Sequence, residues 1–167
     1  MNKRRDVLIG GACVMAAVAV PALLRAGKAS AETFEVTHSE AEWKQLLTPA
    51  QFQVLRKHGT ERPFTSALND EHRPGVFRCA ACDLPLFRSE TKFDSGTGWP
   101  SFYAPIDEAV RTSSDYILIV RRTEVHCRRC GGHLGHVFDD GPAPTGKRYC
   151  MNGVALKFEP GGAGGPA

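Results

Sequence analysis

Two cysteine pairs of identical spacing hold most of the chemistry this sequence offers. Cys79-Ala80-Ala81-Cys82 and Cys127-Arg128-Arg129-Cys130 are separated by 44 residues. A two-residue spacer on a tight turn aims both sulfurs at one point, which suits half of a tetrahedral zinc shell. Gly131-Gly132 after the second pair fit the turn such a shell needs. Disulfides are a competing reading, favoured by an oxidising compartment. Redox Cys-x-x-Cys motifs are another. The duplication favours one shared zinc over two independent redox pairs, which would also lack their usual α/β surroundings. Four thiolates leave no open position for water, so the metal is expected to be structural.

Cys150 stands apart from both pairs, in Gly146-Lys147-Arg148-Tyr149-Cys150. Two nearby cations favour a thiolate. Upstream, His133-Leu134-Gly135-His136 places two imidazoles three positions apart in a glycine-rich segment. A lone cysteine with histidines elsewhere in the chain is the composition of thiol catalysis. On these facts alone an inert buried thiol is as good a reading. The histidines can also bind metal, although four cysteines would already fill a zinc shell.

The elements that must position these groups are short. Ser39-Glu40-Ala41-Glu42 is a capping box, followed by Trp43, Leu46 and Leu47 at helical spacing. Thr48-Pro49-Ala50-Gln51 repeats the pattern with proline at the first helical position, and Phe52, Val54 and Leu55 supply a stripe that Gly59 ends. Beyond Thr60, glycine and proline cut the chain into strand-like pieces: Gly75–Arg78, the apolar run Tyr116–Val120, and Val154–Phe158. The expected fold is mainly antiparallel β with short N-terminal helices, and residues 160–167 form a Pro/Gly/Ala tail expected to be disordered.

The 167 residues suit one domain, and 42% hydrophobic with 23% charged content is that of a globular chain. Residues 1–31 carry +4 of a net +3, leaving −1 for the rest, so charge argues against a nucleic-acid partner. Those first residues read as a leader: Lys3-Arg4-Arg5-Asp6, an apolar run from Val7 to Leu24, and Ala29-Ser30-Ala31 as a cleavage site. The paired arginines resemble a twin-arginine signal for folded cargo. The expected destination is the periplasm, with no membrane contact after cleavage, or a membrane anchor if the leader is retained. Cys13 lies within it.

Several longer segments carry a resemblance. Lys92–Phe102 (KFDSGTGWPSF), Thr123-Glu124-Val125, His133–Phe138 (HLGHVF), Asp140-Gly141-Pro142, Pro144-Thr145-Gly146 and Arg148–Asn152 (RYCMN) are similar to the methionine-R-sulfoxide reductase B family, as is Gly59–Phe64. The likeness covers roughly residues 40–159, within an expected domain of 32–159. It implies two antiparallel sheets around a single structural zinc held by Cys79, Cys82, Cys127 and Cys130. Cys150 resembles the catalytic cysteine that attacks the sulfoxide sulfur, with His133 and His136 protonating the departing oxygen and Asn152 orienting the network. Trp99 resembles the indole that receives the substrate methyl, and Phe138 and Arg148 fall to the same substrate site. The implied substrate is methionine-R-sulfoxide, in proteins or peptides and as the free amino acid. A thioredoxin-like protein or a small thiol is the implied reductant.

Two positions depart from that pattern. Gly153 replaces the usual serine, and Thr97 replaces a cysteine that often closes an internal disulfide. With Cys13 in the leader and four cysteines on zinc, no thiol is left to resolve an oxidised Cys150. A zinc-binding module that merely grips a ligand in an aromatic pocket is the alternative, and it would need neither Cys150 nor the histidines. A zinc-ribbon nucleic-acid binder is disfavoured by charge.

Overall fold

A computed structural model of the chain describes residues 32–115 and 122–161. The expected leader with Cys13, the run Tyr116–Val120 and the expected tail beyond Gly161 lie outside the described residues.

Both predicted helices form where their caps are written. Helix α1 (Glu40–Leu46) starts at Ser39 and α2 (Pro49–Lys57) at Thr48, each with a reciprocal capping box. The Ser39 and Thr48 backbone N–H groups donate to Glu42 Oε2 at 2.7 Å and Gln51 Oε1 at 3.0 Å. Two of the otherwise orphaned donors at each helix start are thereby satisfied. Trp43, Leu47, Phe52, Val54 and Leu55 are buried. Leu46 was expected beside them but is 61% exposed, because the helix ends at it and the following Leu47 turns inward. The second stop also differs. His58, not Gly59, takes the left-handed conformation (φ 55°) that ends α2.

Nine strands follow among the described residues: β1 (Gly75–Cys79), β2 (Pro85–Arg88), β3 (Lys92–Phe93), β4 (Ser101–Phe102), β5 (Val110–Asp115), β6 (Arg122–Cys127), β7 (His133–Phe138), β8 (Arg148–Met151) and β9 (Leu156–Pro160). They build two antiparallel sheets, β2-β1-β9 and β3-β4-β8-β7-β6-β5. Among the described residues after Gly59, helical structure is confined to short 3-10 turns.

Aromatic rings join the two sheets. Phe87 of β2 stacks on Phe102 of β4 with centroids 4.3 Å apart, and Phe77 of β1 meets Phe102 edge-on at 4.9 Å. All three are fully buried. At the centre of the larger sheet, β7 and β8 approach so closely that a Cβ at Gly135 would stand 2.1 Å from the Cys150 carbonyl oxygen. Glycine is required there by this close approach of backbone to backbone.

Candidate functional site

The two cysteine pairs converge. Cys79 ends β1 and Cys127 ends β6, so each sheet contributes one pair. Both pairs use the same turn: Asp83 N–H donates to the Cys79 carbonyl at 2.9 Å, and Gly131 N–H to the Cys127 carbonyl at 2.8 Å. Asp83 (φ 57°) and Gly131 (φ 65°) supply the same left-handed residue. Glycine advertised the second turn in the sequence; aspartate, which also tolerates this conformation, hid the first. Arg129 and Arg56 donate to the carbonyls of Cys82 (3.2 Å) and Cys130 (2.9 Å), fastening both turns.

All four sulfurs lie within 4.8 Å of one another, with Cys79–Cys130 at 3.7 Å and Cys82–Cys127 at 3.5 Å. These are not bonded distances; a disulfide needs about 2.05 Å. A tetrahedral shell with metal–sulfur bonds of about 2.3 Å has sulfur–sulfur edges of about 3.8 Å, which matches. Crowding by the neighbouring sulfurs, Cys127 foremost, pushes the Cys79 thiol up. Four thiolates so close together are tolerable only around a cation, so the cluster can hold a metal.

Cys150 occupies the middle of β8, with Ser101 of β4 on one side and His136 of β7 on the other. It opens on a cavity of about 230 Å³ whose wall includes Trp99, Phe138, His136, Asn152, Gly135 and Arg122. Burial pushes the Cys150 thiol up, against the opposing pull of the Thr97 hydroxyl, Arg148 and Ser101. The cation effect read from the sequence is therefore present but outweighed. Lys147 contributes little to it, being paired with Asp139 at the surface.

His136 is held by Asp115, with Nε2 2.7 Å from Oδ2, and Arg122 donates to the same oxygen at 2.7 Å. An ion-paired carboxylate accepts, so Nε2 carries the proton and Nδ1 is the nitrogen Asp115 leaves unused. Burial lowers the His136 pKa despite Asp115, which keeps this imidazole neutral near pH 7.

His133 is placed differently. It is 2% exposed, stands 5.4 Å from the His136 ring, and does not line the cavity. Its Nδ1 meets Glu124 Oε1 at 2.7 Å, an oxygen also 3.0 Å from His58 Nδ1. The His133 contact, first among several, holds the Glu124 carboxyl at about 2. The unexpected cap at His58 thus brings a second imidazole to this carboxylate.

Asn152 lines the cavity with its amide fully used. Its Oδ1 accepts from Glu61 N–H at 2.9 Å and its Nδ2 donates to the Leu134 carbonyl at 3.0 Å. Glu61 in turn accepts from Trp99 Nε1 at 3.1 Å through its carbonyl, and from the N–H groups of Gly153 and Val154 through its carboxylate. Asn152 therefore fixes the indole and β7 relative to each other. Arg148, expected at the substrate, is turned aside: it makes a bidentate pair with Asp140 (2.9 and 2.8 Å) and lies 4.5 Å over the Phe138 ring. It supports the cavity wall without lining it.

The two departures have structural counterparts. Thr97 Oγ1 lies 3.9 Å from Cys150 Sγ, in a hydroxyl chain that runs through Ser95 to Ser101 (2.8 and 2.7 Å). At Gly153, a Cβ would stand 1.8 Å from Ser66 Oγ. The hydroxyl absent at 153 is replaced in space by one from 66. Sequence reading missed Glu124, Asp115, Arg122 and Ser66 as functional groups, because each gains its meaning from a partner on another segment.

A neutral imidazole beside a buried thiol, in an aromatic cavity on a two-sheet scaffold clamped by four cysteines, is the site of a thiol-dependent enzyme. The SelR domain matches residues 47–160, and the chain belongs to that family. It is 54% identical over 127 residues to a peptide methionine sulfoxide reductase MsrB of Agrobacterium fabrum, covering 75% of this chain and 94% of that one. It is 58% identical over 125 residues to the protein of that name from Methanosarcina barkeri, covering 74% and 88%. A chloroplastic peptide methionine sulfoxide reductase B1 of Arabidopsis thaliana is 58% identical over 121 residues, covering 72% of this chain and 60% of that one.

Proposed function

We propose that this protein reduces the R epimer of methionine sulfoxide in oxidised proteins to methionine, with Cys150 as nucleophile. The observation that carries the reading is Cys150 facing His136 across β7–β8 in a cavity walled by Trp99 and Phe138. The substrate's terminal methyl is small and apolar, so an indole wall rewards one sulfoxide configuration over its mirror image by shape.

His136 is neutral with Nδ1 unprotonated, so it first accepts the Cys150 thiol proton. The thiolate attacks the sulfoxide sulfur, and the imidazolium returns the proton to the departing oxygen. Thioether and cysteine sulfenic acid result, the sulfur of methionine being reduced and that of Cys150 oxidised. His133, fixed by Glu124, backs His136. Two reductant thiols then restore Cys150: one displaces water to give a mixed disulfide and the second releases the thiol. Among the described residues Cys150 has no second thiol outside the cluster to resolve it, so the reductant acts from outside, as a thioredoxin-like protein or a small thiol. Thr97→Cys is expected to supply the missing internal step, with oxidation consuming two thiols and no metal.

Zinc fits the four thiolates and, when bound, supplies a charge centre that clamps the two sheets. The leader implies export in folded form, with zinc loaded before the protein reaches an oxidising compartment. Replacing Arg4 and Arg5 by lysine should then strand precursor inside the cell. The decisive test is turnover of separated sulfoxide epimers with dithiothreitol. Reduction of the S epimer, or R-epimer turnover by Cys150→Ser, would sink the reading.

A further inference from the structure

Trp99 walls two cavities. One is the Cys150 cavity; the other, of about 190 Å³, is floored by Phe64, Phe93, Trp99 and Pro100. Its rim carries Lys92, Asp70 and Asp94, charges of both signs that select no ion. Phe64 is the most exposed large hydrophobic residue among those described, at 73%. Its backbone is left-handed (φ 63°), a conformation a bulky side chain rarely adopts. It is pinned there by its N–H donating to the Gly98 carbonyl at 2.7 Å, which also accepts from Asn69 Nδ2 at 3.1 Å. The strained turn thus keeps an aromatic ring in solvent beside the active-site indole. Asn69 also lines this hollow.

Resting on the reading of the reaction above, we propose that this second cavity is a subsite for the polypeptide around the oxidised methionine. It takes an apolar or aromatic side chain within two residues of the sulfoxide. The cavities share the Trp99 side chain as partition, which sets the second directly beside the first. An extended peptide repeats same-side side chains about every 6.6 Å, a step suited to straddling a single indole. The subsite would favour protein-bound sulfoxide over the free amino acid.

The test compares three R-sulfoxide substrates with dithiothreitol: a singly blocked N-acetyl amide, and peptides carrying Phe or Gly two positions away on either side. The natural chain should prefer the Phe peptide by about tenfold in kcat/KM, expressed in KM. Phe64→Ala should cut the preference to about twofold while the blocked residue reacts as before, and Phe64→Trp should restore it. An unaltered melting temperature is expected, since the ring is exposed. An undiminished preference in Phe64→Ala, or none in the natural chain, overturns the subsite and leaves the reaction standing. A defect seen only with a thioredoxin-like reductant would assign the cavity to the reductant instead. Loss of a concentration-dependent dimer in Phe64→Ala would assign it to a second copy; either result overturns the proposal. Failure of the natural chain to reduce even the blocked residue sinks the reaction reading itself.

Discussion

The four-cysteine cluster and the Cys150 cavity place the same element in opposite surroundings. The cluster's sulfurs sit on two turns at strand ends and crowd one another, with Cys79–Cys130 at 3.7 Å. Cys150 sits mid-strand between two hydrogen-bonded neighbours, its Sγ 3.9 Å from the Thr97 hydroxyl. Crowding by the other sulfurs raises the Cys79 thiol, whereas burial in a cavity wall raises that of Cys150. A turn lets sulfurs converge on a metal, whereas a central strand isolates one sulfur and fixes its line of approach.

That contrast breaks most sharply by exchanging serine for sulfur in each region. Cys150→Ser should reduce R-epimer turnover to background and leave melting temperature and metal content unchanged. Cys130→Ser, or stripping the metal with a chelator, should cost roughly 4 kcal/mol or more of stability, read as a lower urea midpoint. Equal stability losses in both variants would erase the distinction.

Within the catalytic region, the two histidines are separable. His136→Ala should lower the single-turnover rate by about a hundredfold with little change in stability, as expected for a lost proton carrier. His133→Ala should cost less rate, about tenfold, but more stability, roughly 2 kcal/mol, because Glu124 loses its buried partner. Reversal of that order would put His133, not His136, at the substrate.

Dependence on pH sharpens the comparison further. The proton that Cys150 shares with His136 is needed at the departing oxygen, and the thiol is raised above its ordinary value of 9.0, so single-turnover rate should hold to pH 9 and fall along a limb above it. Arg148→Met, which removes a cation that favours the thiolate, should displace the limb to still higher pH. Glu124 acts on stability. Its folded pKa of about 2 lies below the ordinary 4.5, so its contribution is present above pH 4.5 and lost as pH falls toward 2. Glu124→Gln should flatten that acid limb in urea titrations.

The smallest effect concerns the pair at 66 and 153. Gly153→Ser alone should destabilise by about 1–3 kcal/mol through overpacking against Ser66. Adding Ser66→Gly should recover most of the loss, a coupling that a double-mutant cycle measures.

Much of this was legible before any coordinates. The capping boxes at Ser39 and Thr48 wrote both helix starts, because caps are local. The paired Cys-x-x-Cys spacing announced the cluster for the same reason. Helix stops were less legible: Leu46 fits an apolar stripe but faces solvent, and His58 took the turn that Gly59 seemed to own. Arg148 read as a substrate contact, and the structure adds what its position in the chain did not show, a bidentate pair with Asp140.

What the sequence determined by itself was the inventory: five cysteines from Cys79 to Cys150 in a four-plus-one division, two histidines, an indole, and no spare thiol among them to recycle Cys150. These follow from residue type and spacing along one segment. Tertiary structure alone decided the ranking of the histidines, the protonated state of Cys150, and the pairing of Ser66 with Gly153. Each depends on distance and desolvation between segments far apart in the chain: Asp115 to His136, β4 to β8, residue 66 to residue 153. Burial and opposing charge act through space, and the order of residues along a chain does not record the space between them.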